Sequence, residues 1–258
     1  MFDIAIFAAL GWERRAVTAG LEAVRVRVRA RVWSGRAGAL SCVVVQTGVG
    51  PGRAAAAAAA VDAGAFLACG CAGALAPDLG GGDVVLADAV IALDASGRVE
   101  RRVAGATPPS LARAAAGEGI RLRTGPIASS PTVLATAAAK RVAAESGALA
   151  VDMESAAVAA EAERRGLPFA ALRVVLDVAD QALPLADALV DGASGEVRLG
   201  RAVVALAPRP WLWPPMARLA RHTRLADRRL RAIVAAALRD GAFIPRSTER
   251  PAPRAAVR

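Results

Sequence analysis

The spacing of apolar residues along the chain predicts a domain of alternating strands and helices. Apolar runs over Phe2–Ala9, Leu40–Gln46 and Phe169–Leu176 are typical of strands that are covered on both faces of a sheet. Ala-rich segments between such runs predict helices, the clearest being Ser155–Arg165. That helix should end at Gly166–Pro168, because Pro lacks the N–H group that a helix needs and Gly caps a helix readily. The order of elements indicates an α/β fold.

A strict alternation of aliphatic and basic residues marks the segment from Val24 to Trp33. Such a period of two predicts a single strand with one face in water. Arginines on the wet face solvate it and protect a sheet edge from pairing with other chains.

The C-terminal segment has a different pattern. A Pro- and Trp-rich hinge, Pro208–Pro215, precedes a predicted helix over Met216–Arg239. Its apolar stripe and its opposite, basic face recur at helical spacing; the stripe comprises Met216, Leu219, Thr223, Ala226, Leu230, Ile233 and Ala237, and the basic face comprises Arg218, Arg221, Arg224, Arg228 and Arg231.

Two interpretations of this helix remain open. With Trp211 and Trp213 at its base, residues 208–239 have the composition of an anchor on an anionic membrane surface. Alternatively, the helix packs on the body or on a partner and its arginines are simply solvated. The pattern predicts a catalytic domain at 1–207 and a basic tail at 208–258, whose last part, Ile244–Arg258, we expect to be disordered.

Composition narrows the function classes. A length of 258 residues with 55% hydrophobic residues suits one α/β domain with a large core. The net charge of +10 is concentrated after Leu206, so the body is not expected to bind nucleic acid.

Three irregularly spaced cysteines favour a reducing, cytoplasmic compartment, and a single histidine, His222, argues against a zinc site. Asp3 lies where a signal peptide needs positive charge, so the first apolar run is interpreted as a strand.

Three acidic residues stand next to the predicted strands. Glu13 follows the first strand, Asp177 ends the strand that begins at Phe169, and Glu154 opens the Ala-rich helix. Singly, each has an ordinary explanation as a helix-dipole partner or a cap. Ligands of open α/β sheets bind at the carboxyl ends of the strands, however, and this is where these acids should meet.

Three motifs together resemble the nucleoside phosphorylase/nucleosidase superfamily, especially its methylthioadenosine/S-adenosylhomocysteine nucleosidases. They are D-M-E-S-A-A from Asp152, R-x-x-x-D-V-A-D-Q from Arg173, and C-G-C-A-G-A-L-A-P-D-L-G-G-G-D-V-V from Cys69. The resemblance covers roughly residues 2–205 and leaves the tail outside the pattern of the small nucleosidases. It implies a three-layer sandwich around a central mixed, mainly parallel sheet, a homodimer or higher homo-oligomer, and cleavage of a purine N-glycosidic bond without a cofactor or metal.

The resemblance also implies roles for individual residues. Asp177 would protonate N7 of the leaving adenine, and Glu154 with Met153 would hold the ribose hydroxyls. Glu13 would act on the attacking water, and Glu13 and Arg173 would position that water, or a phosphate in its place.

Further positions are implied to contact the substrate. The turn Cys71-Ala72-Gly73 should approach base and sugar, although Cys71 replaces the usual Ser and a thiol is the weaker hydrogen-bonding group. Val133 and Leu134 fall at base-contact positions. Gly48, in the loop Thr47–Arg53, belongs to the segment that approaches ribose or phosphate.

One departure from the small nucleosidases suggests the substrate. The region from Ala89 to Arg113 is short, where those enzymes have a longer, aromatic roof over the neighbouring subunit's 5′ pocket. Together with the tail, an open 5′ side makes the chain most similar to the hopanoid-associated branch, which removes adenine from adenosylhopane. That branch implies a peripheral location on the inner face of the plasma membrane.

Alternatives remain at this point. One is an ordinary methylthioadenosine/S-adenosylhomocysteine nucleosidase with an unusual tail. Another is a catalytically weak membrane-docking or nucleotide-sensing protein, against which the presence of all three acids speaks. The sequence leaves both water and phosphate open as the nucleophile.

Overall fold

A computed structural model describes residues 1–27, 31–183 and 208–241 of the chain. The strands are β1 (Ile4–Ala8), β2 (Glu22–Arg27), β3 (Val32–Ala37), β4 (Leu40–Gln46), β5 (Phe66–Ala74), β6 (Val84–Leu93), β7 (Val99–Ala104), β8 (Leu122–Ser129), β9 (Ala150–Asp152) and β10 (Phe169–Asp177). The helices are α1 (Gly11–Thr18), α2 (Pro51–Ala59), α3 (Pro109–Gly117), α4 (Ala137–Ala144), α5 (Ser155–Arg164) and α6 (Trp213–Arg239), which follows a short 3-10 turn at Pro210–Leu212.

One sheet joins all of these strands, in the order β10-β6-β8-β9-β5-β1-β4-β3-β2 with β7 beside β6. Because β10 also pairs with β5, the strands β5, β9, β8, β6 and β10 close into a ring. The predicted α/β fold around a mixed sheet is confirmed. Among the described strands, five pairings are parallel and five are antiparallel, so the sheet is mixed rather than mainly parallel. Three of the antiparallel pairings belong to the hairpins β2–β3–β4 and β6–β7, and the other two, β10–β6 and β5–β9, lie within the ring.

The central strands place the candidate acids at one edge of the sheet. β1, β5 and β10 run parallel to one another, so their carboxyl ends lie together. Glu13 follows β1 in the first turn of α1, and Asp177 ends β10 in register with Gly73 of β5. Apolar side chains on both faces of these strands form two large clusters beneath the helices, which fix the strand ends rigidly.

The alternating segment does not form the predicted single strand. The chain turns back within it, so that Arg27 of β2 pairs with Val32 of β3 in an antiparallel hairpin. Val24 and Val26, expected on a buried face, are 40% and 49% exposed. The prediction was wrong because β2 is the outermost strand of the described sheet: alternation indicates extended backbone, but not that a core covers one face.

The predicted C-terminal helix is confirmed, and α6 begins slightly earlier than expected, at Trp213. Its apolar stripe has two parts. Ala226, Leu230, Ile233 and Ala237 are fully buried in the same core cluster as β1 and β10, so packing on the body, one of the two interpretations, is confirmed for this half. The five arginines of the basic face are exposed as predicted. The last part of the predicted catalytic domain, residues 184–207, and the tail at 244–258 that we expect to be disordered lie outside the described residues.

Candidate active site

A cavity of about 730 Å³ lies at the carboxyl ends of β1, β5 and β10. It contains all three acids of the sequence analysis, Glu13, Glu154 and Asp177. Residues predicted to contact substrate also line it, namely Cys71, Ala72, Gly73, Val133, Leu134 and Met153. Arg173 and Gly48, which were also predicted to contact substrate, do not line the cavity. In the loop after β4, Val49 lines it instead of Gly48.

Glu13 is held by the backbone on two sides. Its Oε2 accepts a hydrogen bond from the Leu10 N–H at 2.8 Å, and its Oε1 accepts one from the Cys71 N–H at 2.8 Å. Burial raises the pKa of Glu13, while Arg173 and these donors oppose the rise. Two fixed donors leave the carboxyl group little rotational freedom, which suits a group that must orient a small nucleophile.

Glu154 lies between the first turn of α5 and the loop after β4. Its Oε1 accepts a hydrogen bond of 2.7 Å from the Gly50 N–H, at the start of α2. Burial, reinforced by the charge of Asp152, raises the pKa of Glu154 to about 7. The group therefore changes charge near neutral pH, and a substrate hydroxyl that donates to it would favour the carboxylate.

Arg173 lies behind the cavity wall and serves Asp152. Its guanidinium is 2.6 Å from the Asp152 carboxylate and donates to the Ser155 hydroxyl at 2.8 Å. Asp152 also accepts hydrogen bonds from Ser129 and Ser155, both at 2.5 Å. Arg173 and Asp152 are both buried and hydrogen bonded, so they form a charged support for Glu13 and Glu154; of the two, only Asp152 also lines the cavity.

Asp177 has a different partner. The Lys140 ammonium, from α4, donates to Asp177 Oδ2, and the side chains of both residues are almost completely buried. Burial raises the pKa of Asp177, and the charges of Lys140 and His222 oppose the rise. His222 of α6 also contacts the neighbouring Leu176 carbonyl through Nδ1, at 2.6 Å. A buried carboxyl group with a raised pKa can carry a proton to a leaving group.

Two glycines of the Cys69 motif make room for these carboxyl groups. A Cβ atom at Gly70 would lie 2.6 Å from both Glu13 and Arg173, closer than real Cβ contacts allow. A Cβ atom at Gly73 would lie 3.0 Å from Asp177 Oδ2. The sequence analysis assigned this turn to substrate approach, whereas its glycines here permit the approach of the acids themselves.

The outer part of the cavity is apolar and is built partly by α6. Trp12 and Leu10 contribute from the start of α1. The first turns of α6 contribute Met216, Leu219 and Thr223 of the apolar stripe, together with Ala220. The two arginines in the lining, Arg15 and Arg224, come from α1 and α6.

Sequence reasoning missed part of this site. It left Lys140 without a function, and it did not assign Asp152, Ser155 or His222 to the acids' surroundings. One signal was available for Lys140: it is the only lysine among 33 basic residues, in a chain that elsewhere uses arginine. The Asp152–Arg173 pair joins positions 21 residues apart and could not be found without the fold.

Within the described ranges, no group of three or more His, Cys, Asp or Glu side chains is arranged to hold a metal ion. Nor does the described part of the chain contain a helix with the length and apolarity to cross a bilayer.

Comparison with known proteins identifies the family. The model of the phosphorylase superfamily matches residues 3–207. The chain belongs to the phosphorylase superfamily. A search of curated proteins finds no match. Membership of the superfamily makes the chain a nucleosidase or phosphorylase enzyme, which speaks against the alternative of a catalytically weak membrane-docking or nucleotide-sensing protein.

Several solved structures share the fold of this chain. The 5′-methylthioadenosine/S-adenosylhomocysteine nucleosidase of Neisseria meningitidis, in complex with methylthio-immucillin-A, is 21% identical, with a TM-score of 0.72 over 93% of this chain and 100% of that one. S-adenosylhomocysteine nucleosidase of Streptococcus pyogenes is 23% identical, with a TM-score of 0.69 over 93% and 97%. The Campylobacter jejuni 5′-methylthioadenosine/S-adenosylhomocysteine nucleosidase is 18% identical, with a TM-score of 0.71 over 93% and 100%.

These coverages correct one expectation. A match over 93% of the 258 residues extends beyond residue 207 into the C-terminal segment, which the sequence analysis placed outside the pattern of the small nucleosidases. The presence of a C-terminal helix alone therefore does not distinguish a membrane-associated branch.

Proposed function

We propose that this enzyme cleaves the N-glycosidic bond of an adenine nucleoside. The observation that carries the proposal is the placement of Glu13, Glu154 and Asp177 in one cavity, each on a different supporting element. In the proposed mechanism, Asp177 gives a proton to N7 of the purine as the C1′–N9 bond breaks. Glu154, with Met153, holds the ribose hydroxyls, and its negative charge favours the developing oxocarbenium ion.

Water is the nucleophile that the charges favour. Glu13 and Glu154 both face the cavity, and the guanidinium of Arg173 is committed to Asp152. A phosphate anion would meet two buried carboxyl groups and would be repelled by either one when ionised. A water molecule that donates its proton to Glu13 suits the same place. The enzyme is thus proposed to be a hydrolase rather than a phosphorylase.

The direct test is to incubate the protein with adenosine, 5′-methylthioadenosine and S-adenosylhomocysteine, with and without phosphate. Release of adenine and a free, unphosphorylated sugar is expected at the same rate in both buffers. A sugar 1-phosphate that forms only with phosphate would contradict hydrolysis. No adenine from any adenosyl compound, including the lipid considered next, would contradict the proposed function.

For the 5′ substituent we propose a large apolar group, and adenosylhopane of hopanoid biosynthesis as the substrate. Support comes from the apolar outer cavity and from its volume, which lies in the upper part of the range of small-molecule sites, ~300–1,000 Å³. None of residues 89–113 lines the cavity, in keeping with a reduced roof. Methylthioadenosine and S-adenosylhomocysteine fit the fold equally well and are the alternative substrates.

A membrane-facing position of the cavity mouth would suit such a substrate. Trp211 and Trp213, at the start of α6, are 67% and 57% exposed beside the turns that line the outer cavity. Exposed arginines, including Arg218 and Arg221, lie on the same end of the helix. Tryptophan at the interface and arginine near anionic headgroups are the combination that holds peripheral proteins on bilayers. We place the contact at this end, since the other half of α6 is buried.

The test uses the double substitution Trp211→Ala/Trp213→Ala. Co-sedimentation with anionic vesicles at low salt should fall several-fold, and so should cleavage of an adenosyl lipid in those vesicles, while a soluble adenosine analogue is cleaved as before. The matched control is Val99→Ala/Val142→Ala, which trims two exposed apolar side chains on other elements (54% and 44% exposed) and should change neither vesicle binding nor cleavage of either substrate.

Equal vesicle binding by the wild type and both variants would contradict the docking surface, and preference for methylthioadenosine over the lipid would favour the alternative substrate. Oligomeric state remains a separate prediction, testable by light scattering.

A further inference from the structure

Lys140 is the only lysine of the chain, and it is one of the most deeply buried side chains. It lies in α4, a short helix that begins at the N-cap Thr136. Its ammonium group donates to Asp177 Oδ2, to the Val178 carbonyl at 2.8 Å and to the Gln181 carbonyl at 3.0 Å. Since an ammonium has three N–H groups, every donor of Lys140 is used.

This arrangement explains why a lysine stands here. Three acceptors converge on one point, which suits a compact ammonium better than the planar fork of a guanidinium. Burying the cation and the acid together is costly unless each is fully bonded. Two of the three bonds go to the backbone immediately after β10, so Lys140 fastens the segment that carries Asp177 as well as the carboxyl group itself.

The opposite side of Asp177 is also fixed. Gly73 of β5 lies against the carboxyl group, and a Cβ there would touch Oδ2 at 3.0 Å. Lys140 engages Oδ2, which leaves Oδ1 as the oxygen to hydrogen bond a leaving group. The titratable groups that face Asp177 are Lys140 from α4 and His222 from α6.

We propose that Lys140 is a positioning residue for the general acid, orienting Asp177 and stabilising the carboxylate that remains once Asp177 has given up its proton. This inference rests on the proposed function. As the C1′–N9 bond breaks, its electron pair moves into the purine, the proton of Asp177 moves to N7, and a carboxylate forms against the ammonium. Lys140 itself keeps all of its protons. The interaction therefore becomes stronger during the step, which is the condition for lowering a barrier.

Three substitutions separate charge from packing. Lys140→Gln removes the positive charge but keeps N–H donors for the carbonyls of Val178 and Gln181. Lys140→Met removes the charge and the donors. Lys140→Arg keeps the charge. Thr136→Ala is the matched control, because it removes the hydrogen bond from the Ala139 N–H to the cap and weakens the same helix without touching the ion pair.

We expect Lys140→Gln to lower kcat by about 10- to 100-fold, less than the ~10²–10⁴-fold contribution of the acid itself, with little change in KM. Without the ammonium, the alkaline limb of the kcat profile should move to higher pH by about one unit or more, because an opposite charge at contact lowers a carboxyl pKa by about 1–3 units. Lys140→Arg keeps the charge but fits the three acceptors less well, so it should move the limb less than Lys140→Gln. Thr136→Ala should lower the melting temperature and leave the limb unchanged.

A second measurement is independent of catalysis. The side-chain carboxyl carbons of ¹³C-aspartate-labelled, ligand-free protein are titrated by NMR, with Asp177→Asn identifying the Asp177 signal. The Asp177 midpoint should be higher in Lys140→Gln than in the wild type. An unchanged midpoint would overturn the inference even in an active enzyme. A shifted midpoint in a protein that cleaves no adenosyl compound would uphold the charge coupling and overturn the proposed function alone.

Discussion

The cavity has two acidic ends, and each contains at least one carboxyl group and one buried basic side chain. The ends differ in whether that basic side chain forms a salt bridge with the carboxyl groups that are proposed to act on the substrate. At the nucleophile end, Arg173 is paired with Asp152, and Glu13 and Glu154 lie above this pair without a direct salt bridge. At the leaving-group end, Lys140 touches Asp177 itself. Both cations are buried, so solvent does not screen either of them.

In the proposed mechanism, this difference corresponds to opposite tasks. A group that accepts a hydrogen bond or a proton works best when no cation already occupies it, and Glu154 retains a pKa of about 7 because burial outweighs the influence of Arg173. A group that gives a proton ends as an anion, and a cation in contact makes that end state favourable. One cation supports the acids from behind, whereas the other takes part in the charge change.

Removing the proton at the leaving-group end should have the largest effect. Asp177→Asn keeps the shape of the side chain but cannot deliver a proton, so kcat for adenine release should fall by ~10²–10⁴-fold. Asp180→Asn, an exposed residue three positions later, is the matched control and should retain activity. If the folded Asp177→Asn variant kept near-normal turnover, Asp177 would not be the general acid, and the proposed difference between the two ends of the cavity would be wrong.

The next largest effect is expected at Glu13. Glu13→Gln should impair attack by about 10²-fold in kcat, within the range of general base catalysis, and change substrate binding little. An amide also offers one acceptor where Glu13 uses two, so the melting temperature should fall as well. Steady-state kinetics would separate the effects. A rise in KM at constant kcat would assign Glu13 to binding instead.

Glu154 should discriminate between sugars. Glu154→Gln removes a charge-assisted hydrogen bond, ~1.5–3 kcal/mol, which corresponds to about a 10- to 100-fold loss in kcat/KM on a ribonucleoside. A 2′-deoxy substrate makes fewer such bonds and should lose less. The ratio of kcat/KM values for the two sugars measures this directly. Equal losses on both would contradict the proposed contact with the ribose hydroxyls.

The smallest effect concerns stability and pH. Burial raises the pKa of Glu154 from 4.5 to about 7, so the folded state binds more protons than the unfolded state between these values. The free energy of unfolding of ligand-free protein should therefore fall as pH rises through this window, by ~1.4 kcal/mol per unit of pKa difference at most. Urea unfolding at several pH values should show a weaker decline for Glu154→Gln. A steeper decline in the variant would show that another group titrates.

The fold was predictable where a local pattern has only one solution. The apolar runs located β1, β4 and β10 to within two residues, and the Ala-rich helix α5 was predicted to within one. The alternating segment was misread because its hairpin depends on where β3 and β4 can pair. This pairing involves residues outside the segment, so the spacing of residues within the segment cannot predict it.

The site was predictable in its acids and less so in their supports. Glu13, Glu154 and Asp177 stand next to strand ends, which a sequence pattern can locate. Lys140 is 37 residues from Asp177, and only the packing of α4 brings them together. The apolar stripe of the last helix was predicted correctly, but the sequence could not show that one half faces the core and the other half the cavity.

Because α6 is buried in the same cluster as β1, the domain can complete its folding only near the end of synthesis. Ile4 and Ile6 leave the ribosome first, yet Leu230 and Ile233, which share their cluster, are among the last described residues to be synthesised. At ~5–20 residues per second, the interval is roughly 10–50 seconds. During that time the part of this cluster that α6 covers stays exposed, although α1 and α3 already pack on the same face of the sheet. Ribosome-bound fragments that stop short of α6 should therefore remain protease-sensitive and become resistant only once the helix has emerged.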